Sequence, residues 1–234
     1  MAAAVGPFTP SLFAQWAADD FLIVEGFLRE FPTWASFLRA AFVENFGATG
    51  GLYRPVGHTA LYADLRVFGP VPLALHATNI LWHAAVCVLV LGLARRLLTA
   101  PARLVPLLCA GIYFAAFPRR VEPVAWVSCR PDLVAATLGC AAVLQWPRAQ
   151  GMGGGLASVG LGTGWLLAKE TPVLLQLAFP FASPAGPSAR SFLRLWPFAV
   201  AAGLVGVMRR VVLGDWVGGG GTRRASPRHP SSTL

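Results

Sequence analysis

Arg119 to Asp132 reads RRVEPVAWVSCRPD, and the chain on either side of it is apolar enough to lie in a lipid bilayer. Five ionisable side chains, Arg119, Arg120, Glu122, Arg130 and Asp132, therefore stand between two candidate membrane spans, Leu104 to Phe117 and Leu133 to Trp146. Charge at a span end is costly, so such groups are usually paired and often functional. The stretch decides the fold because it reads as a loop joining two crossings of a helical membrane bundle.

Composition agrees. Of 234 residues, 56% are hydrophobic and 12% charged, and the mean hydropathy is +0.60, which is too apolar for a soluble domain. The formal charge of +9 comes almost wholly from arginine, Lys169 being the one lysine. A basic patch for nucleic acid is weakly supported, and no nucleic-acid partner is expected. Cys87, Cys109, Cys129 and Cys140 have no CxxC or other ligand spacing and read as packing residues.

Outward from the loop, Val71 to Leu93 is an uncharged run of 23 residues, enough to cross about 30 Å of hydrocarbon. Gly153 to Ala168 and Phe198 to Met208, the latter extended by Leu195 and Trp196, add further spans. Thr171 to Ala182 has about 12 residues with Pro172 and Pro180, so it reads as a broken or partly inserted helix. Glycines from Gly151 to Gly164 recur at four-residue spacings, which lets another helix approach closely. The expected fold is all-α: a polytopic transmembrane bundle of about six spans. Residues 1–70 form an outer region with interfacial helices, 71–213 the bundle and 214–234 a disordered tail.

Within the outer region, Thr9 and Pro10 can start a turn, and Thr33 can cap a helix running to about Asn45 with Gly47 behind it. Trp34, Phe37, Leu38, Ala41 and Phe42 fall on one stripe of that helix, suited to the membrane interface or to a neighbouring protein face. The amino terminus lacks a basic n-region, so no cleaved signal peptide is expected; it reads equally as the end of a span.

Charge parity tests the count, because alternate loops should lie on opposite sides. Residues 94–103, 147–151 and 183–194 hold Arg95, Arg96, Arg103, Arg148, Arg190 and Arg194 and no acid, as cytoplasmic loops should. All ten carboxylates fall in the other set. That places residues 1–70 outside or in a lumen, and it favours counting Thr171 to Ala182 as a crossing. The same outer face then carries Asp19 and Asp20, Glu122 and Asp132, with Arg54, Arg119, Arg120, Arg130, Lys169 and Glu170. Adjacent carboxylates can supply a proton acceptor, and arginines can hold a lipid phosphate in bidentate fashion. The plainer reading is interfacial salt bridges and snorkelling arginines. His76, Asn79 and His83 share one face of the first span and read as interhelical hydrogen bonders before metal ligands. No GxSxG, Walker, Rossmann or HExxH motif occurs.

Several pieces carry a resemblance: ADDFLIVEG at 18–26, YRPVGHTALYADLRVFG at 53–69, LHATNILWHAAVCVLVLGLARRL at 75–97, FAAFPRRVEPVAWVSCRPDLVA at 114–135 and LAKET at 167–171. In this order they resemble multispanning glycosyltransferases of the GT-C class, most of all the transmembrane, tetratricopeptide-repeat-containing O-mannosyltransferases and their bacterial relatives. The resemblance covers roughly residues 15 to 180. It implies transfer of a mannose-like sugar from a polyprenyl-phosphate carrier to a protein or glycan hydroxyl, outside a bacterial plasma membrane or in the endoplasmic reticulum. Asp19 and Asp20 match the family's catalytic acidic pair, with Asp19 the expected base. Arg54, Glu122, Arg130, Asp132, Lys169 and Glu170 match positions around the lipid phosphate. No cofactor or metal ligand set is implied, and a divalent metal is left open. The chain departs from the family at Phe117, where a histidine often precedes the proline, and in lacking an earlier span, later spans and the repeats. It therefore reads as a fragment. The competing readings are a transporter or flippase using His76, Asn79 and His83, and a truncated, non-catalytic membrane piece.

Overall fold

The computed structural model describes residues 2–44, 52–98, 104–146, 152–182 and 186–214, and every regular element among them is helical. They are α1 (Ala2–Val5), a 3₁₀ helix (Gly6–Phe13), α2 (Asp20–Glu30), α3 (Trp34–Phe42), α4 (Pro55–Phe68), α5 (Pro72–Leu97) and α6 (Leu104–Ala116). Then come α7 (Val121–Ala125) between two 3₁₀ turns, α8 (Arg130–Gln145), α9 (Met152–Ala168), a 3₁₀ helix (Thr171–Ala182), α10 (Ala189–Leu193) and α11 (Trp196–Leu213). The expectations for Asn45, Gly47, Arg103, Arg148, Gly151, Asp215 and the tail 215–234 lie outside the described residues.

Three stretches are long and apolar enough to cross a membrane: Pro72–Leu97, Val127–Gln145 and Ala189–Leu213. Leu104–Ala116, Gly155–Ala168 and Val173–Ala182 are apolar but shorter, so three of the six expected spans reach bilayer length. Only 11% of the most apolar window of Ala189–Leu213 is buried, and Leu81, Val88, Leu108, Ile112, Leu156 and Leu204 are exposed. Surface of that kind calls for lipid rather than water.

Packing fixes the direction of each helix. Near their starts, α8 and α5 are joined by Arg130 Nη2 donating to Leu75 O at 3.0 Å, and near their ends Gly92 lies against Leu144, so the two run parallel. Helix α6 runs the other way, with Gly111 against Leu91 and His83 Nε2 hydrogen-bonded to Ala115 O at 3.1 Å. Helix α9 is antiparallel to α8, with Trp165 over Gly139 and Ser158 Oγ donating to Ala142 O at 3.4 Å. The chain then returns through Thr171–Ala182, where Gln176 Nε2 donates to Gly162 O at 3.3 Å and Phe179 reaches Trp146. Helix α11 comes back again, from Phe198 beside Trp146 to Arg209 beside Glu170. The bundle thus has two unlike ends.

Ahead of it, α2, α3 and α4 enclose an aromatic core around Phe27, Phe31, Phe37, Tyr62 and Leu65. Thr33 and Ser36 form a capping box that starts α3, and Phe37 stacks flat on Tyr62 at 3.9 Å. Of the α3 stripe, Phe37 and Ala41 are buried while Trp34 and Leu38 are exposed, so the protein face takes one side of it. The segment before Asp19 does not stand outside this frame. Phe8 packs edge-on against His83 at 4.9 Å, a level about 16 Å along α5 from Pro72.

Candidate functional site

The two aspartates part company at the start of α2. Asp19 is exposed and makes no side-chain hydrogen bond or ion pair among the described residues, whereas Asp20 is fully buried. Asp20 Oδ1 accepts from Ser128 N at 2.7 Å and Ser128 Oγ at 2.6 Å. Its Oδ2 accepts from Ala17 N at 3.1 Å and Val127 N at 3.4 Å. Four donors occupy one carboxylate, so Asp20 is the tie that fastens the acidic segment to the Val127–Cys129 turn.

Arg130 is the inner counterpart of that tie. It is fully buried; Nη1 pairs with Asp64, Nε donates to Asn79 Oδ1, and Nη2 donates to Leu75 O at 3.0 Å and Thr78 Oγ1 at 2.7 Å. Asn79 Nδ2 in turn donates to Val124 O at 3.0 Å and Trp126 O at 3.1 Å. A buried guanidinium survives only with such partners, and removing one strands a charge at a cost of roughly 3–5 kcal/mol. Helices α4, α5 and α8 and the loop before α8 are locked together here. His76 is also fully buried, with the Gln15 backbone, Asp20 and Arg130 in electrostatic reach.

Two further ion pairs stand at the same end. Arg54, just ahead of α4, grips Glu170 in a fork, Nε to Oε2 at 3.0 Å and Nη2 to Oε1 at 2.8 Å, and Arg209 Nη1 lies 3.8 Å from Glu170 Oε2. Burial opposes the charge of Glu170, but the hydrogen bonds and charge of Arg54 win and hold the carboxyl at about 2. Arg54 titrates above its ordinary value because its bonds to Glu170 outweigh its own burial. His58, behind it, is pushed down to about 3 by burial and then by the Arg54 charge, so it is neutral. Lys169 pairs with Asp132. The charges of Asp132, Glu122, Lys169 and Asp19 all act on the Cys129 thiol, and Asp132 also acts on Arg54.

One end of the bundle therefore gathers Asp19, Glu122, Asp132, Lys169, Arg54 and Glu170, contributed by segments up to 151 residues apart. Asp20 and Arg130 sit beneath, committed to the framework. Sequence reading missed Asp64, Thr78, Ser128 and Arg209. Asp64 lies inside the quoted YRPVGHTALYADLRVFG piece, and Arg209 breaks the last apolar run, which are the signals each carried. Among the described residues no three His, Cys, Asp or Glu side chains gather as metal ligands. Comparison of the chain with family models, with curated proteins and with solved structures gave no match.

Proposed function

We propose that the chain is a membrane glycosyltransferase of GT-C type that moves a mannose-like sugar from a polyprenyl-phosphate carrier to a hydroxyl acceptor. The reading rests on the resemblance stated above. One observation carries it further: Asp19 is an exposed carboxylate, and its neighbour Asp20 is pinned by four donors, at the end where Lys169 and Arg54 stand. The acceptor hydroxyl gives its proton to Asp19 as its oxygen attacks the anomeric carbon. The bond from that carbon to the carrier phosphate breaks, and the phosphate leaves with the electron pair. Lys169 and exposed Arg119 offset the charge that develops on it, while the fork of Arg54 on Glu170 holds α4 against the end of α9. Asp20 and Arg130 act as positioning residues.

In this proposal all six apolar segments cross the membrane, α5, α8 and Thr171–Ala182 inward and α6, α9 and α11 outward, with the acidic end outside or lumenal. The bilayer is the partner that covers the exposed leucines. Transport through His76, Asn79 and His83 gains nothing, since Asn79 gives its NH₂ to two backbone carbonyls and its oxygen to Arg130, and His83 Nε2 is engaged by Ala115 O.

The test is transfer from polyprenyl-phosphate mannose by the full-length protein in proteoliposomes. Asp19→Asn is expected to lower kcat about 10²- to 10⁴-fold. It should leave thermal stability unchanged, because Asn serves as well as Asp ahead of a helix. Equal rates in wild type and in the Asp19→Asn, Asp20→Asn double variant would remove the catalytic assignment.

A further inference from the structure

Glu170 is shared by two guanidinium groups on unequal terms. The fork from Arg54 takes both of its oxygens, at 2.8 and 3.0 Å, so Arg209 of α11 stands 3.8 Å from Oε2, beyond hydrogen-bonding distance. That long ion pair is the one polar contact of Arg209 among the described residues, and its Nε is buried without an acceptor. Yet the residue is only 8% exposed. A guanidinium carries five N–H donors and does not deprotonate, so burial beside one distant carboxylate leaves its donors short of partners. Arg130 shows the contrast, since Asp64, Asn79, Leu75 and Thr78 all accept from it. Buried donors with no protein acceptor call for an acceptor from outside the chain. The local charge asks for the same thing. Glu170 and Asp132 are the carboxylates that act on Arg54, and they face three cations, Arg54, Arg209 and Lys169, while Asp19 and Glu122 bear on the Cys129 thiol. Arg209 also lies near the end of Ala189–Leu213, a stretch of bilayer length whose most apolar window is 11% buried, and an arginine so placed reaches the level of the lipid headgroups. The planar fork of a guanidinium matches two oxygens of a phosphate.

We propose that Arg209, backed by the charge of Arg54, binds a phosphate group where α9 and α11 meet at the acidic end. Glu170, held by Arg54, keeps Arg209 in place, and the terminal nitrogens of Arg209 donate to the phosphate oxygens. The phosphate comes from a lipid headgroup or from solution. The site needs neither a sugar nor its transfer, so this proposal and the catalytic one fail independently.

Full-length protein in neutral detergent is titrated with dodecyl phosphate, dodecanol and inorganic phosphate, followed by thermal shift and calorimetry. A rise in Tm with dodecyl phosphate alone supports a lipid headgroup as the source, and a rise with inorganic phosphate as well supports the free anion. Dodecanol should give none. Arg209→Met should weaken phosphate affinity at least about tenfold, the worth of one hydrogen bond to a charged group. Its ligand-free Tm should be at or above that of wild type, because Arg54 still satisfies Glu170 and an apolar chain replaces a poorly paired buried charge. Arg209→Lys keeps the charge and should retain part of the affinity, and Asp19→Asn should bind phosphate as wild type does. No shift with either phosphate, a shift matched by dodecanol, or undiminished phosphate binding by Arg209→Met overturns the proposal.

Discussion

At Ala18 the backbone takes a φ of 48°, a left-handed value that costs a residue bearing a Cβ roughly 1–2 kcal/mol, and the chain leaves that turn with Asp19 outward and Asp20 inward. The strain is offset by the four hydrogen bonds to Asp20. Asp20→Asn keeps the shape but replaces one acceptor oxygen with an NH₂ that faces backbone N–H groups. It should destabilise the protein by about 1–3 kcal/mol in thermal unfolding, whereas Asp19→Asn should not. A second prediction concerns Glu170, whose folded pKa of about 2 lies below its ordinary 4.5. The unfolded chain therefore binds the proton first, so this carboxylate stabilises the fold above about pH 5 and that contribution is lost as the pH falls toward 2. In Arg54→Gln the burial of Glu170 is no longer overcome by the fork. That variant should start less stable at neutral pH and lose this acid-dependent step, as Tm against pH would show. The sequence made the gathering of charges at one end of the bundle legible, because that needs only the order of runs and loops. It could not show which of two adjacent aspartates would be buried. It could not pair Arg130 with Asp64 either, since partner choice depends on how helices 66 residues apart are packed.

Among the elements, Thr171–Ala182 is the one drawn out beyond α-helical length. Twelve residues of α-helix would rise about 18 Å, but as a 3₁₀ helix they rise about 24 Å, nearer to the hydrocarbon thickness. Pro180 lies inside it, and in an α-helix its ring would clash with the carbonyl four residues earlier, which disfavours the α form there. Helix α4 went unread because its residues face α2, α3, α5, α8 and α9 in turn and leave no clean stripe. What seats it is Gly57: a Cβ there would lie 2.6 Å from Pro131 Cβ and 2.8 Å from Pro131 Cα. Gly57→Ala should push α4 from α8 and cost about 1–3 kcal/mol, as overpacking does, visible as a lowered Tm. Gly160→Ala is the control, since nothing lies within 4 Å and the helix gains up to ~1 kcal/mol of propensity. The glycine spacing in α9 was legible, yet only part of it serves close packing. Gly162 meets Phe198 and Gly164 meets Leu138, while Gly155 and Gly160 face open space.

For the molecule as a whole, the unlike ends follow from alternation: each helix returns the chain, so acids collect at one end with Arg54, Arg130 and Arg209 paired to them, and the segments that carry arginine without acid lie at the other. Glu122 stands after α6 and Ala189 opens α10, both exposed, and between them lie α8, α9 and Thr171–Ala182. If all three cross, positions 122 and 189 lie on opposite sides of the membrane. If Thr171–Ala182 dips in and out on one side, they lie on the same side. Glu122→Cys and Ala189→Cys, each in a background with the four native cysteines replaced, can be labelled in intact cells or sealed vesicles with a thiol reagent that does not cross membranes. Labelling of position 122 only from outside, and of position 189 only after permeabilisation, is the expected result. The same outcome would put Arg190 and Arg194 on the side where positive loops are retained. Labelling of both from outside would make the 3₁₀ helix a re-entrant segment. The parity of α11 would then reverse, which its Arg209 contact with Glu170 at the acidic end argues against.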